Sequence, residues 1–178
     1  MHIEVFDNRI PLGLRCDLLD YCFNSTFKLG WTDRSSNETD IYDLNIHSRW
    51  TESNIRDCHI MPYIMGCIEE SNWFTKRNVN KAIVNLVKSE DVHYIHAHKE
   101  QVALYYVNLE WKDGWYGETI FYNPLNLDEI VFTSPYKPGR ILLFDSAIPH
   151  AIRPQSIKGP KYRMSLSLFF DDKKDGFS

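Results

Sequence analysis

HYIHAHKEQVALYYVNLEW, residues 93–111, carries two signals at once: its first eight residues hold three of the chain's seven histidines, and a run of branched and aromatic side chains follows directly. On an extended strand alternate residues share a face, so His96, His98 and Glu100 fall on one side and His93 points away. A strand that offers imidazoles and a carboxylate on one face is suited to holding a metal.

Working outward, the same strand-like texture continues to the end of the chain. YIHAH, QVALYYVNLEW, GETIFYN, DEIVFTS, GRILLFD, HAIRP and YRMSLSLFF are short runs rich in aromatic and β-branched residues, separated by the turn signals KDGW, NPLN, YKPG and SIKGP. Upstream the pattern differs. Residues 2–6 read as a short strand; Leu14, Leu18, Leu19, Cys22, Phe23 and Phe27 recur at helical spacing and predict a helix over 14–27. Pro62 is placed to open a helix running to Glu70, and Val79, Ala82, Ile83, Leu86 and Val87 recur at three and four, predicting another over 79–88. The segment from Gly30 to Asp57 is polar and reads as loop, with one strand around Ile41 to Ile46 and a possible role as a lid. The tail DDKKDGFS reads as solvated. The expected class is α+β, mainly β: one domain over residues 1–178, with helical and loop support over 1–91 and a sandwich or barrel over 92–170.

Bulk properties narrow the functional classes. With 178 residues, 43% of them hydrophobic, the chain can build a sizeable core without disulfide staples. A net charge of −4 offers no basic stripe for a phosphate backbone, so no nucleic-acid partner is evident. Cys16, Cys22, Cys58 and Cys67 form no CxxC pair and are expected as reduced, mostly buried thiols. MHIEVFDNRIPLGLR is too polar for a signal sequence and no stretch approaches the ~18 apolar residues of a membrane span, so the expectation is a cytoplasmic protein without a membrane partner.

His150 opens a strand far downstream of the histidine cluster, and Arg163 follows 13 residues later. Two ligands from one strand and a third from a remote one can cap one face of an octahedral metal and leave the other positions open for chemistry. A guanidinium deeper in a barrel would then grip the far carboxylate of an organic acid chelating that metal. No GxSxG elbow, P-loop or HExxH helix competes with this arrangement.

From about residue 93 to 170 the chain resembles the Fe(II)/2-oxoglutarate-dependent dioxygenases, in the branch of the prolyl 4-hydroxylases. The resemblance is carried by LYYVNLEW (family pattern LYYLNxxW), GWYGETIFY (WxGGETxF), PYKPGRILLFD (PxxGRxxxFD), His150, and Arg163-Met164-Ser165 (RxS). It implies a double-stranded β-helix, or jelly roll, with supporting N-terminal helices. It also implies an enzyme that uses Fe(II), O2 and 2-oxoglutarate to hydroxylate a C–H bond of a peptidyl proline, an amino acid or a small metabolite. Position by position, His150 corresponds to the distal metal ligand and Arg163, assisted by Ser165, to the group binding the C5 carboxylate of 2-oxoglutarate. Tyr106 would hydrogen-bond the same carboxylate and Thr119 would face the cosubstrate.

The family's proximal motif is His-x-Asp or His-x-Glu, and no His-x-Asp occurs in this chain. His98-Lys99-Glu100 keeps a carboxylate on the iron, whereas His96-Ala97-His98 makes a three-histidine face. Chemistry favours His98, Glu100 and His150 as ligands, because a carboxylate lowers the charge of the site and orients bound water. Spacing to the next strand favours His96 as the competitor. The rivals in other classes are a cupin-like metal-binding or sensor module, with His96, His98 and His150 around zinc, and a three-histidine oxygenase that does not use 2-oxoglutarate. Neither needs Arg163 followed by Ser165. Among the remaining residues, Trp111, Trp115 and Tyr116 read as packing aromatics, Arg140 as a turn residue beside a solvated Lys137, and Arg153 as an ion-pair partner outside the barrel.

Overall fold

The structure, a computed structural model, describes residues 2–31, 45–91 and 93–172. The described elements are β1 (Ile3–Phe6), α1 (Leu12–Phe23), β2 (Lys28–Trp31), β3 (Asn45–Arg49), α2 (Glu52–Arg56), α3 (Met61–Glu70), β4 (Asn78–Val87), β5 (Gln101–Tyr106), β6 (Thr119–Asn123), β7 (Asn126–Ser134), β8 (Ile141–Asp145), β9 (His150–Ile152) and β10 (Arg163–Asp171). The strands form an antiparallel seven-stranded sheet, ordered β1-β8-β5-β10-β4-β3-β2, facing a three-stranded sheet ordered β7-β6-β9. This is the expected jelly roll.

Alternation along the central strands separates two cores. Val102, Leu104 and Tyr106 of β5 join Leu142 and Phe144 of β8 and Phe121 of β6 between the sheets. Ala103 and Tyr105 point the other way, with Leu166 and Leu168 of β10, and meet Leu18 and Cys22 of α1 and Ile64, Cys67 and Ile68 of α3. The helices therefore roof the outer face of the large sheet and leave its inner face to the site. Cysteines are free as expected; burial pushes the Cys22 thiol up to about 12 and Cys67 up to about 11, which keeps both protonated and unreactive near neutrality.

The strand at residues 2–6 and the helix opened by Pro62 occur as expected. The first helix stops at Phe23 rather than continuing to Phe27: Ser25 Oγ donates at 3.1 Å to the Tyr21 carbonyl, which the Ser25 N–H would meet in a further turn, and that N–H bonds the Cys22 carbonyl instead. Residues 79–88 are not a helix. All but Lys88 lie in β4, hydrogen-bonded between β10 and β3, with Ala82, Val84 and Leu86 under the helices and Ile83 in the inner core. A strand buried on both faces loses its two-residue alternation, and its continuous apolar run contains i, i+3 and i, i+4 coincidences by default. Residues 1–91 thus contribute four strands, β1 to β4, to the large sheet as well as helices. Of the strand expected around Ile41 to Ile46, residues 41–44 lie outside the described residues and β3 begins at Asn45; residues 32–44 of the loop and lid expected between Gly30 and Asp57, and residues 173–178 of the tail, also lie outside them, while the rest of that loop holds β3 and the short helix α2, capped by Thr51.

Arg140 is more than a turn residue. Its Nε and Nη2 donate to Asp7 at 2.8 and 2.9 Å, and Lys137 Nζ reaches the same carboxylate at 2.8 Å, so the turn before β8 is tied to the end of β1. The Arg140 hydrogen bond, with Lys137 adding to it, holds the Asp7 carboxyl down at about 2 against partial burial. Arg153 pairs loosely with Glu118 at 3.9 Å and lies over the Tyr116 ring at 3.8 Å, outside the barrel as expected. Among the described residues no helix is long and apolar enough to cross a membrane.

Candidate metal and cosubstrate site

Residues 96–100 cross from one sheet to the other. His96 exchanges both backbone hydrogen bonds with His150 of β9, at 3.0 and 2.9 Å, extending the small sheet. Two residues on, His98 N–H donates to the Ser146 carbonyl at 2.8 Å, and Ser146 N–H donates to the Glu100 carbonyl at 3.1 Å, which leads the chain into β5 beside β8. The crossing brings three imidazoles together. Ring centroids are 4.5 Å apart for His96 and His150, 5.1 Å for His96 and His98, and 5.8 Å for His98 and His150. One ring nitrogen from each can be chosen so that all three lie within 4.8 Å of one another.

Two of these rings are already oriented. His96 Nδ1 donates to the Tyr94 carbonyl at 2.9 Å and His150 Nδ1 to the Ile148 carbonyl at 2.8 Å. A carbonyl can only accept, so both rings are Nδ1–H tautomers with the lone pair on Nε2, the state that ligates a metal. Phe144 packs on His150 at 5.1 Å and Phe169 on His98 at 5.6 Å, walling the rings with apolar surface. The donor set fits a divalent transition metal.

Glu100 is not with them. The bend at 99–100 ends the alternation that would have kept it on the histidine face, and its Oε2 accepts from the Lys99 N–H at 3.0 Å instead. His96 takes the place on geometry that Glu100 holds on chemistry. His93, expected to point away, lines the same cavity as His96 and His98, because residues 93–95 are irregular and the alternation does not reach them.

The second half of the site lies on the inner face of β5, β6 and β10. Arg163, 0% exposed, is the largest fully buried side chain. Its Nε donates to the Gly117 carbonyl at 2.8 Å, Nη1 to Ser165 Oγ at 3.4 Å and Nη2 to Thr119 Oγ1 at 3.3 Å. Tyr106 donates its hydroxyl to the same Thr119 oxygen at 2.8 Å. Arg163, Ser165, Tyr106 and Thr119 are therefore one buried cluster. Thr119 also lines the cavity that holds the three histidines, so it joins the two halves.

None of the ion pairs among the described residues involves Arg163. A buried cation without a carboxylate is expensive, and the rings of Tyr106 and Tyr136, at 5.2 and 5.0 Å from its Cζ, return only part of the cost. Tyr136 was not singled out from sequence. It stacks on Tyr106 at 4.3 Å, donates to the Met164 carbonyl at 2.6 Å and has its own pKa pushed upward by burial, with Arg163 opposing. Its sole sequence signal was a place between Ser134 and the KPG turn. Gly117, in GWYGE, has φ +85, and an added Cβ would stand 2.7 Å from the Trp111 ring, so only glycine lets its carbonyl approach the guanidinium. Tyr105, beside Tyr106, faces the outer core, where burial pushes it up to about 12. Trp111 packs on Tyr136 at 4.0 Å and donates to the Tyr116 carbonyl at 2.8 Å, the packing role expected of it.

By sequence, no protein-family model and no curated protein matches the chain. Solved structures do match it by shape. A prolyl hydroxylase from Trichoplax adhaerens, in complex with a hypoxia-inducible-factor peptide fragment, superposes with TM-score 0.67 at 18% identity, over 97% of this chain and 84% of that one. A prolyl 4-hydroxylase from Pseudomonas putida gives 0.65 at 13% identity, over 96% and 92%. HygX from Streptomyces hygroscopicus, with nickel and 2-oxoglutarate bound, gives 0.63 at 8% identity, over 98% and 84%. A 2-oxoglutarate/Fe(II) oxygenase-family protein from Burkholderia pseudomallei gives 0.68 at 10% identity, over 98% and 88%, and the fold of this chain is the one these structures share, prolyl hydroxylases among them.

Proposed function

We propose that the protein is an Fe(II)- and 2-oxoglutarate-dependent dioxygenase that hydroxylates a C–H bond, with His96, His98 and His150 holding the metal. The observation that carries this reading is Arg163: a fully buried guanidinium, unmatched by any carboxylate among the described residues, bonded to a threonine that lines the three-histidine cavity. Such a group calls for an anion that the described residues do not supply. Arg163 and Ser165 would take the C5 carboxylate of 2-oxoglutarate, Tyr106 would donate to it, and Thr119 would flank the carbon chain. The Nδ1 hydrogen bonds of His96 and His150 would leave Nε2 as the ligating atom of each ring. Iron bound there would supply the redox chemistry with O2 that oxidises 2-oxoglutarate to succinate and CO2 and the substrate to an alcohol.

A peptide is the first candidate substrate, since the Trichoplax neighbour holds one, with an amino acid or small metabolite as the alternatives. The three-imidazole donor set also suits zinc in a sensor module, or iron in an oxygenase that does not use 2-oxoglutarate. Both leave Arg163 without a purpose. The deciding experiment adds Fe(II) and then 2-oxoglutarate anaerobically and looks for the visible charge-transfer band of a chelated 2-oxo acid. The band, followed by succinate production on admitting O2, is the expected result; its absence from iron-loaded protein would reject the 2-oxoglutarate reading.

A further inference from the structure

The inner face of the large sheet continues beyond the site. Directly paired residues on neighbouring strands share a face, and the registers give one row that runs Tyr106, Ser165, Asn85, His47, Lys28 across β5, β10, β4, β3 and β2. A second row runs Leu104, Ser167, Ile83, Arg49, and a third Val102, Phe169, Lys81. In each row the members on β5 and β10 belong to the inner core or to the site. Beyond them, β4 contributes Asn85, Ile83 and Lys81, and the outer strands contribute His47, Lys28 and Arg49, so each row ends on a cation.

The small sheet has three strands against seven, so it covers only part of this face. Lys28 and Arg49 are exposed, and no ion pair among the described residues involves either. Lys81 lies over the Phe169 ring at 4.0 Å, and Phe169 in turn touches His98 and lines the cavity. The groups act on one another. Burial pushes the His47 pKa down against a hydrogen bond with the Asn45 backbone, and Lys28 and Arg49 add to the fall; burial and Arg49 push Lys81 down, with Glu100 opposing. A chain of net charge −4 thus places the exposed Lys28 and Arg49, with Lys81 and the ionisable His47 beside them, along one flank of its site, a field that attracts an anion.

We infer that this flank is a docking shelf for an acidic peptide segment, which it presents to the three-histidine cavity through Asn85 and Phe169. The span argues for a peptide over a small acid. Lys28 and Lys81 are two strands and four residues apart, about 16 Å at the usual spacings of a sheet. One small dicarboxylate cannot reach both ends, whereas acidic side chains along an extended peptide can. The inference rests on the oxygenase reading only for what happens at the cavity; the shelf itself is tested by binding.

The test uses the full chain with Fe(II) and 2-oxoglutarate under argon, and fluorescence anisotropy of a fluorescein-labelled (Glu-Gly-Pro)4 peptide against its (Gln-Gly-Pro)4 counterpart. The acidic peptide is expected to bind at least about fivefold more tightly, with an advantage that shrinks as salt rises. Combined Lys28→Glu and Arg49→Glu substitution should abolish the advantage, Lys28→Gln with Arg49→Gln should reduce it, and Lys112→Glu with Lys158→Glu, away from this face, should leave it intact. Equal binding of the two peptides overturns the inference. So does equal loss in the remote control, or displacement by glutarate as effective as by unlabelled acidic peptide at matched carboxylate concentration. The charge-transfer band is read in the same samples: its absence would count against the oxygenase reading alone, while anisotropy still decides the shelf.

Discussion

Replacing Arg163 with methionine separates ligand binding from stability. The side chain is 0% exposed and makes one short hydrogen bond, to the Gly117 carbonyl at 2.8 Å, and two long ones, at 3.3 and 3.4 Å. Losing the short bond leaves a buried carbonyl unmet, at a cost of about 1–3 kcal/mol. Against this, removing an unpaired cation from a buried site recovers several kcal/mol of desolvation, less the two cation–π contacts. Methionine fills most of the volume. The variant should therefore unfold in urea at a midpoint no lower than the parent chain. Its affinity for 2-oxoglutarate should instead fall by about 2–5 kcal/mol, roughly 30- to 4,000-fold, because a carboxylate would enter the same buried place without its partner. Calorimetric titration of 2-oxoglutarate into the metal-loaded variant, beside a denaturation curve, reads both quantities. A strongly destabilised variant that still binds 2-oxoglutarate normally would refute the reasoning, since Arg163 would then be a structural cation.

Protein-bound iron, measured after anaerobic desalting, should drop more in His96→Ala than in Glu100→Ala; the reverse order would restore the carboxylate to the metal. Thr119→Val deletes the oxygen shared by Tyr106 and Arg163, and should weaken 2-oxoglutarate by about 1–2 kcal/mol while iron retention stays unchanged. Gly117→Ala forces a Cβ against Trp111 at a backbone angle that alanine resists, and should cost about 1–3 kcal/mol in denaturant, with poorer 2-oxoglutarate binding as Arg163 is displaced. Asp7→Asn should lose about 1 kcal/mol at neutral pH, a figure discounted for solvent screening. Because the folded-state pKa of Asp7 is depressed from 3.8 to about 2, its contribution is complete above the ordinary value and fades as pH falls through about 2, so acid denaturation curves of variant and parent should converge there.

Most of the β-rich half was legible in the chain, since its strands have one face inward and one outward or toward helices, and turn residues punctuate them. Six of the seven runs noted from residue 93 onward became strands, and Tyr106, Thr119, Arg163 and Ser165, the residues expected at the cosubstrate, lie in one hydrogen-bonded cluster. β4 was illegible for the opposite reason: with both faces buried it carries no alternation, and local spacing favours a helix that pairing with β3 and β10 overrules. At the candidate metal site the sequence by itself determined that imidazoles from residues 93–98 and from His150 were available. Which of His96 and Glu100 sits with them was decided by tertiary structure, through a bend at 99–100 and the hydrogen bonds of His96 to His150 and Ser146 to Glu100. Alternation tells which side a residue faces only while the strand persists, and where a chain leaves one sheet for another its side chains are aimed by partners remote in sequence.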